Sequence, residues 1–322
     1  MRVRFAHSLA PAAAAVSVAA VLGACGGGAS GVTPTDNTVK FGYWSAGTGY
    51  YAMIPKVLEE HPELASASGI TIKAVPFANL QDLYAATTQG RVDIEIGGPG
   101  PAGSQAQQGA PVSVIGTEAV ANIGLVGKTP TTCAGLKGKR IAQGAGESAA
   151  ILGIEINQVC GLKPKTDYGV VPASTPADAV AQVVAGTADF ALTWEPHTSR
   201  GVNKYGLKRS MKPADLKVDG HDLWQFVIIA NDRLPNERIK PVMEAVKSAA
   251  TWMETHPEES DKMAVGFGQE PGTVKTVIAE KAAPFDIHVV DDTDKKNVVW
   301  ELQQVKDLGA IDGFPANGPF RK

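Results

Sequence analysis

The chain has 322 residues, of which 44% are hydrophobic and 20% charged, with a formal net charge of −3. That composition supports a folded core and excludes a disordered polymer. A weakly acidic balance also excludes the basic stripe of a nucleic-acid binder.

Arg2 and Arg4 open the chain, and no acidic residue precedes Cys25. An alanine- and valine-rich run from Ala12 to Leu22 follows, about 11 residues, too short for the roughly 20 that span a bilayer. Leu22-Gly23-Ala24-Cys25 then presents small residues directly before a cysteine. The pattern resembles a bacterial lipoprotein signal: residues 1–24 are expected to be removed and Cys25 lipidated. Residues 25–36 carry Gly26-Gly27-Gly28-Ala29-Ser30-Gly31, the composition of a flexible tether. The expected location is extracytoplasmic, anchored to the membrane by the Cys25 lipid. No later segment reaches the apolar length of a membrane helix.

Beyond the tether, strand and helix patterns alternate. Strands are expected at 39–44, 71–77, 92–96 and 112–117, with helices at 51–60, 79–89 and after Pro99. Asn79, with Asp82 three residues on, reads as a helix cap. The order restarts with a strand at 139–143, a helix at 147–159, a strand at 168–171, a helix at 176–185, a strand at 188–194 and a helix from Pro196. Helices at 236–255, 257–266, 271–281 and 293–308 complete the chain. Such alternation predicts parallel sheets covered by helices on both faces. The extended runs 121–128 and 223–231 read as crossovers between two lobes. Lobe one is then 36–122 plus 229–322, and lobe two is 123–228.

Cys133 and Cys160 fall at the same end of a strand–helix unit. In an exported chain this favours a disulfide over two buried thiols. The six histidines show no metal-ligand spacing. Gly144-x-Gly146-x-x-Ala149 fits a loose dinucleotide fingerprint, but Asp167 falls at the wrong end of the next strand. No nucleophile motif is present, and neither catalysis, a cofactor nor a metal is expected.

Four segments carry a family resemblance. They are Gly90-Arg91-Val92-Asp93-Ile94, Gln108-Gly109-Ala110-Pro111-Val112, Leu136-Lys137-Gly138-Lys139-Arg140-Ile141-Ala142 and Gly186 to Pro196 with its Trp194-Glu195-Pro196 ending. In this order and spacing the chain resembles the solute-binding proteins of ABC importers, in the nitrate/sulfonate/taurine group. The resemblance implies a type II periplasmic-binding-protein-like fold: two doubly wound α/β lobes joined by two crossover strands, with a ligand cleft between them. It also implies a permease and an ATPase as partners, a small-anion ligand such as taurine or an alkanesulfonate, and a monomer.

Ligands of parallel sheets bind at the carboxyl ends of strands and at the helix N-termini that follow. That rule selects Tyr43, Trp44, Ser45 and Thr48 after the first strand. It selects Gly98 and Pro99 after the third, and Gly146, Glu147 and Ser148 at the opening helix of lobe two. Trp194, Glu195 and Trp224 sit at strand or crossover ends. Glu147 and Glu195 either meet a cationic group of the ligand or simply begin their helices. A carboxylate is the alternative ligand. The alternative of another class is an enzyme resembling the thiamine-pyrimidine-precursor synthases, which share the fold but work in the cytosol.

Overall fold

The computed structural model describes residues 37–45, 50–120, 123–144, 153–154, 156–211 and 218–321. The signal segment 1–24, Cys25 and its tether, Thr48, Gly146, Glu147 and Ser148 lie outside the described residues. The chain divides at Asp36, and Asn37–Lys322 forms one compact unit holding two five-stranded sheets. Among the described residues no helix is long and apolar enough to cross a membrane.

The first sheet contains β1 (Thr38–Trp44), β2 (Thr71–Phe77), β3 (Ile94–Gly97) and β4 (Val112–Val120). The second contains β5 (Ile123–Gly127), β6 (Arg140–Gln143), β7 (Gly169–Pro172), β8 (Phe190–Trp194) and β9 (Lys208–Met211). The tenth strand, β10 (Trp224–Asn231), returns to the first sheet. The strand orders are β2-β1-β3-β10-β4 and β7-β6-β8-β5-β9. β1, β2 and β3 run parallel, as do β6, β7 and β8. One strand in each sheet runs against the rest. β10 lies antiparallel between β3 and β4, and β5 lies antiparallel between β8 and β9.

The boundary expected at 228/229 falls inside β10, the run read from sequence as a crossover: Trp224 pairs with Val120 and Ile228 with both Ile96 and Gly116. The whole of β10 is an interior strand of the first sheet. β9 was missed because four residues reading Lys-Arg-Ser-Met carry no apolar run.

Local chemistry explains most element bounds. Asn79 accepts the Asp82 N–H and starts helix Leu80–Thr88, and Thr175 accepts the Asp178 N–H and starts Pro176–Ala185. Gly186 ends the latter with φ +82°, a left-handed stop that suits glycine. Helix Ile239–Thr255 buries Val242, Met243, Ala245, Val246, Ala249, Ala250 and Met253, one stripe at helical period, against the first sheet. Helix Asp292–Asp307 touches both lobes: Val298 and Leu302 pack with Val112, Val227 and Ile229, whereas Val305 joins Leu136, Ile141 and Phe190.

Cys133 and Cys160 are bridged, with Cα atoms 5.1 Å apart and 27 residues between them in sequence. Closing a loop of this size restricts the unfolded chain, and replacing both cysteines by serine is expected to lower unfolding free energy by about 3 kcal/mol. Urea titration of the oxidised protein against the double variant measures this; equal midpoints would refute it.

Glu95 supplies a second test. Its side chain is fully buried in β3, with one oxygen accepting from Thr87 and the other unpaired, and burial pushes its pKa up to about 8. The folded state keeps this proton while the unfolded state releases it in the ordinary carboxylate range. Stability is thus highest below that range and falls as pH rises to about 8. Glu95→Gln should flatten that decline in melting temperature, and an unchanged profile would count against it.

Candidate functional site

Strands β1, β3 and β4 end at one edge of the first sheet, and β6 and β8 end at the corresponding edge of the second. In parallel sheets these carboxyl edges are where ligands bind. Most of the described residues selected from sequence fall here, but the structure gives several of them firm protein partners.

On β1, the Tyr43 ring is buried and meets Phe267 edge-on at 6.0 Å. Burial raises its hydroxyl pKa. Trp44 donates its indole N–H to the Ala78 carbonyl at 3.1 Å, and the Ser45 hydroxyl donates to the Phe77 carbonyl at 3.1 Å. Tyr43 and Ser45 open onto a pocket of about 630 Å³, which Lys56, His61, Trp252 and Phe267 also line. Its described walls all come from the first sheet and its helices. Trp252, on its wall, lies between the His61 ring, tilted at 4.2 Å, and the His256 ring, stacked at 4.8 Å.

Gly98 is the N-cap of helix Pro99–Gln107 with no side-chain cap, and Pro99 and Gly100 are buried. Proline has no backbone N–H, so Pro99 and Pro101 remove two of the donors a helix N-terminus normally offers. Gly98 and Gly100 retain theirs.

At the second sheet's edge, Trp194 is half-buried, edge-on to His197 at 6.3 Å, and its indole nitrogen is buried without a hydrogen-bond partner. Glu195 is fully committed to the protein. It pairs with Arg209 and accepts the Ser199 backbone N–H at 2.9 Å. Arg209 in turn donates to the Ser199 hydroxyl at 3.0 Å and reaches Glu280 at 3.3 Å. Burial raises the Glu195 pKa, opposed by the Arg209 charge. One of the two sequence readings of Glu195 has it begin its own helix, and it accepts a backbone N–H of that helix. Trp224, expected near the cleft, is only 2% exposed and packs in the first sheet's core with Val227 and Leu302. Its backbone N–H donates to Glu301 at 2.7 Å.

The two lobes also touch through charge. Arg200 and Lys204 from helix His197–Tyr205 converge on Glu270, and Asn203 donates to the Thr276 hydroxyl at 2.7 Å. Lys204 holds the Glu270 carboxyl below its ordinary range.

His288, Asp291 and Asp294 bring three ligand atoms within 4.8 Å of one another. Their bonding suits a helix start rather than a metal: Asp291 accepts the Thr293 and Asp294 N–H groups, and Asp294 meets His288 Nε2 at 2.9 Å. Sequence reasoning does not single out Glu118, which is fully buried near the end of β4 with neither carboxyl oxygen hydrogen-bonded among the described residues. An acid inside the otherwise uncharged strand Val112–Val120 is the available signal.

The Glu195–Arg209 pair generates a test. Removing one partner of a buried pair leaves an uncompensated charge, so Arg209→Met should cost about 3–5 kcal/mol. Adding Glu195→Gln to that variant should recover most of the loss, as read by urea unfolding. Additive losses would show that the pair does not act as a unit.

Comparisons place this geometry. The model of the family described as "NMT1/THI5 like" matches residues 62–260, more than half of the chain. Comparison with curated proteins yields no match. Among solved structures, the periplasmic aliphatic sulphonate binding protein SsuA from Escherichia coli aligns with a TM-score of 0.70 at 20% identity, covering 89% of this chain and 92% of that one. The alkanesulfonate-binding protein SsuA from Xanthomonas axonopodis pv. citri, bound to MOPS, aligns at 0.65 and 21%, covering 88% and 96%. The periplasmic nitrate-binding protein NrtA from Synechocystis PCC 6803 aligns at 0.60 and 15%, covering 86% and 83%. At these identities the likeness is one of fold, a two-lobed α/β architecture. With the family model spanning parts of both sheets, the chain belongs to the NMT1/THI5-like family.

Proposed function

We propose that the chain is the extracytoplasmic solute-binding component of an ABC importer, and that it captures a small organic anion between the carboxyl edges of its two sheets. The observation that carries this reading is the fold: two sheets of matching strand order, each holding one antiparallel strand, aligned over nearly the full length of a sulphonate-binding protein. Taurine or an alkanesulfonate is the leading ligand class, and a carboxylate is the alternative. The chain performs no chemistry in this role: it closes on its solute and passes it to a permease driven by an ATPase. Glu195 is occupied by Arg209 and Ser199.

The reading includes an anchor. Cys25, preceded by Leu22-Gly23-Ala24 and followed by glycines, is the lipid attachment point that holds the protein beside its permease. Cells fed labelled palmitate should label the wild-type chain and fail to label Cys25→Ser, which should also leave the membrane fraction. Label retained by the variant would refute the anchor.

Ligand class is tested by thermal shift with sulfonates, carboxylates, nitrate and thiamine precursors. A true ligand at 100 times its Kd should stabilise by about 2.7 kcal/mol. Stabilisation by a sulfonate or carboxylate supports the reading, and no shift with any anion would overturn it.

A further inference from the structure

Glu118 is out of place in the body of a binding protein. It is the one charged residue of β4 and is fully buried. Neither oxygen of its carboxyl group has a hydrogen-bond partner among the described residues. A buried polar group left unsatisfied costs about 1–3 kcal/mol, and such groups are rare enough in native proteins that each calls for a cause. Other fully buried carboxyls here show what a structural role looks like. Glu195 has Arg209 and Ser199, and Glu301 has the Trp224 N–H.

The position of Glu118 narrows the cause. The register of β4 against β10 runs Thr117 to Val227 and then Ala119 to Phe226, so Glu118 is the extra residue of a β-bulge. Bulges recur beside functional sites because they re-aim a side chain. This one lies two residues from the end of β4, immediately before the crossing into the second sheet. That is the carboxyl edge where parallel strands present ligands. The backbone around Glu118 is tied to a ring cluster of the first core. Phe226 pairs with Ala119, and the Asp286 N–H, next to Phe285, donates to the Glu118 carbonyl at 2.8 Å. Tyr51 sits between those two rings, 5.3 Å from Phe226 and 5.2 Å from Phe285.

The neighbouring helix N-terminus adds a second constraint. With proline at Pro99 and Pro101, its backbone has few N–H groups to offer an anion. A fully buried acid without partners among the described residues and a donor-poor helix start both suit a positive group better than a negative one.

We propose that Glu118 recognises an organic ammonium group of the ligand, so that the solute is a zwitterion carrying an amine as well as an acid. The inference deepens the importer reading above and rests on it. In the empty protein burial keeps the carboxyl well above its ordinary pKa, and an arriving ammonium supplies the missing donors. Specificity then comes from the penalty of leaving Glu118 buried and unpaired when a ligand lacks the amine.

Matched pairs test this on the full mature protein by calorimetry: taurine against ethanesulfonate, β-alanine against propionate, and choline as a cation without an acid group. In the wild type the amino member of at least one pair should bind about tenfold or more tightly than its partner. Glu118→Gln, close in shape, should bring the pair to within about threefold, mainly by weakening the amino ligand. Glu118→Asp withdraws the carboxyl by one methylene and should lower the preference too; it decides the matter if the Gln variant does not fold. Equal binding within both pairs in the wild type, or a preference that survives substitution, overturns the inference and leaves the anion reading standing. Binding of choline alone, lost in Glu118→Gln, retains the role of Glu118 and overturns the anion reading. No binding by any of the five compounds overturns both.

Discussion

The structure depends on one exchange of strands. β10 fills the gap between β3 and β4, and β5 fills the gap between β8 and β9. Each is hydrogen-bonded on both edges, so without it the flanking strands would bury unpaired N–H and C=O groups. The first sheet is completed only by a segment that has already passed through the second. The chain therefore crosses between the sheets twice, after β4 and before β10. The two crossings lie side by side, since Trp224 at the start of β10 pairs with Val120 at the end of β4.

Charge reinforces that arrangement away from the crossings. Helix His197–Tyr205 faces the segment 270–280 through Arg200, Lys204, Asn203 and the nearby Arg209. The exposed members of this group hold little energy individually in water. The Glu195–Arg209 pair differs, because both side chains are almost fully buried. It links the end of β8 to β9, and through Glu280 to the C-terminal segment, so the edge carrying Trp194 is held from behind.

What was legible in the sequence was whatever is written locally. Strand Thr71–Phe77 and helices Pro176–Ala185 and Pro257–Gly266 match expectation because alternation, caps and a left-handed glycine lie within a few residues of each other. The disulfide followed from compartment and from the shared end of one strand–helix unit. Long-range partners were not legible. Glu195 looked available because Arg209, fourteen residues on, lies on a strand too short and polar to recognise. Trp224 looked like a cleft residue because the membership of β10 in the first sheet depends on pairing with strands more than a hundred residues earlier. Glu118 was overlooked because a run of β-formers reads as core whatever single acid interrupts it, and only the absence of a partner marks that acid out.

Helix Asp292–Asp307, seated on both hydrophobic cores, sets the order in which the chain can mature. Domains that are continuous in sequence can fold one after another as they are synthesised. Here the first sheet waits for residue 231 and both cores wait for Val298, Leu302 and Val305. Neither core reaches its final burial until those three residues are in place, so a chain lacking them would leave both incompletely covered.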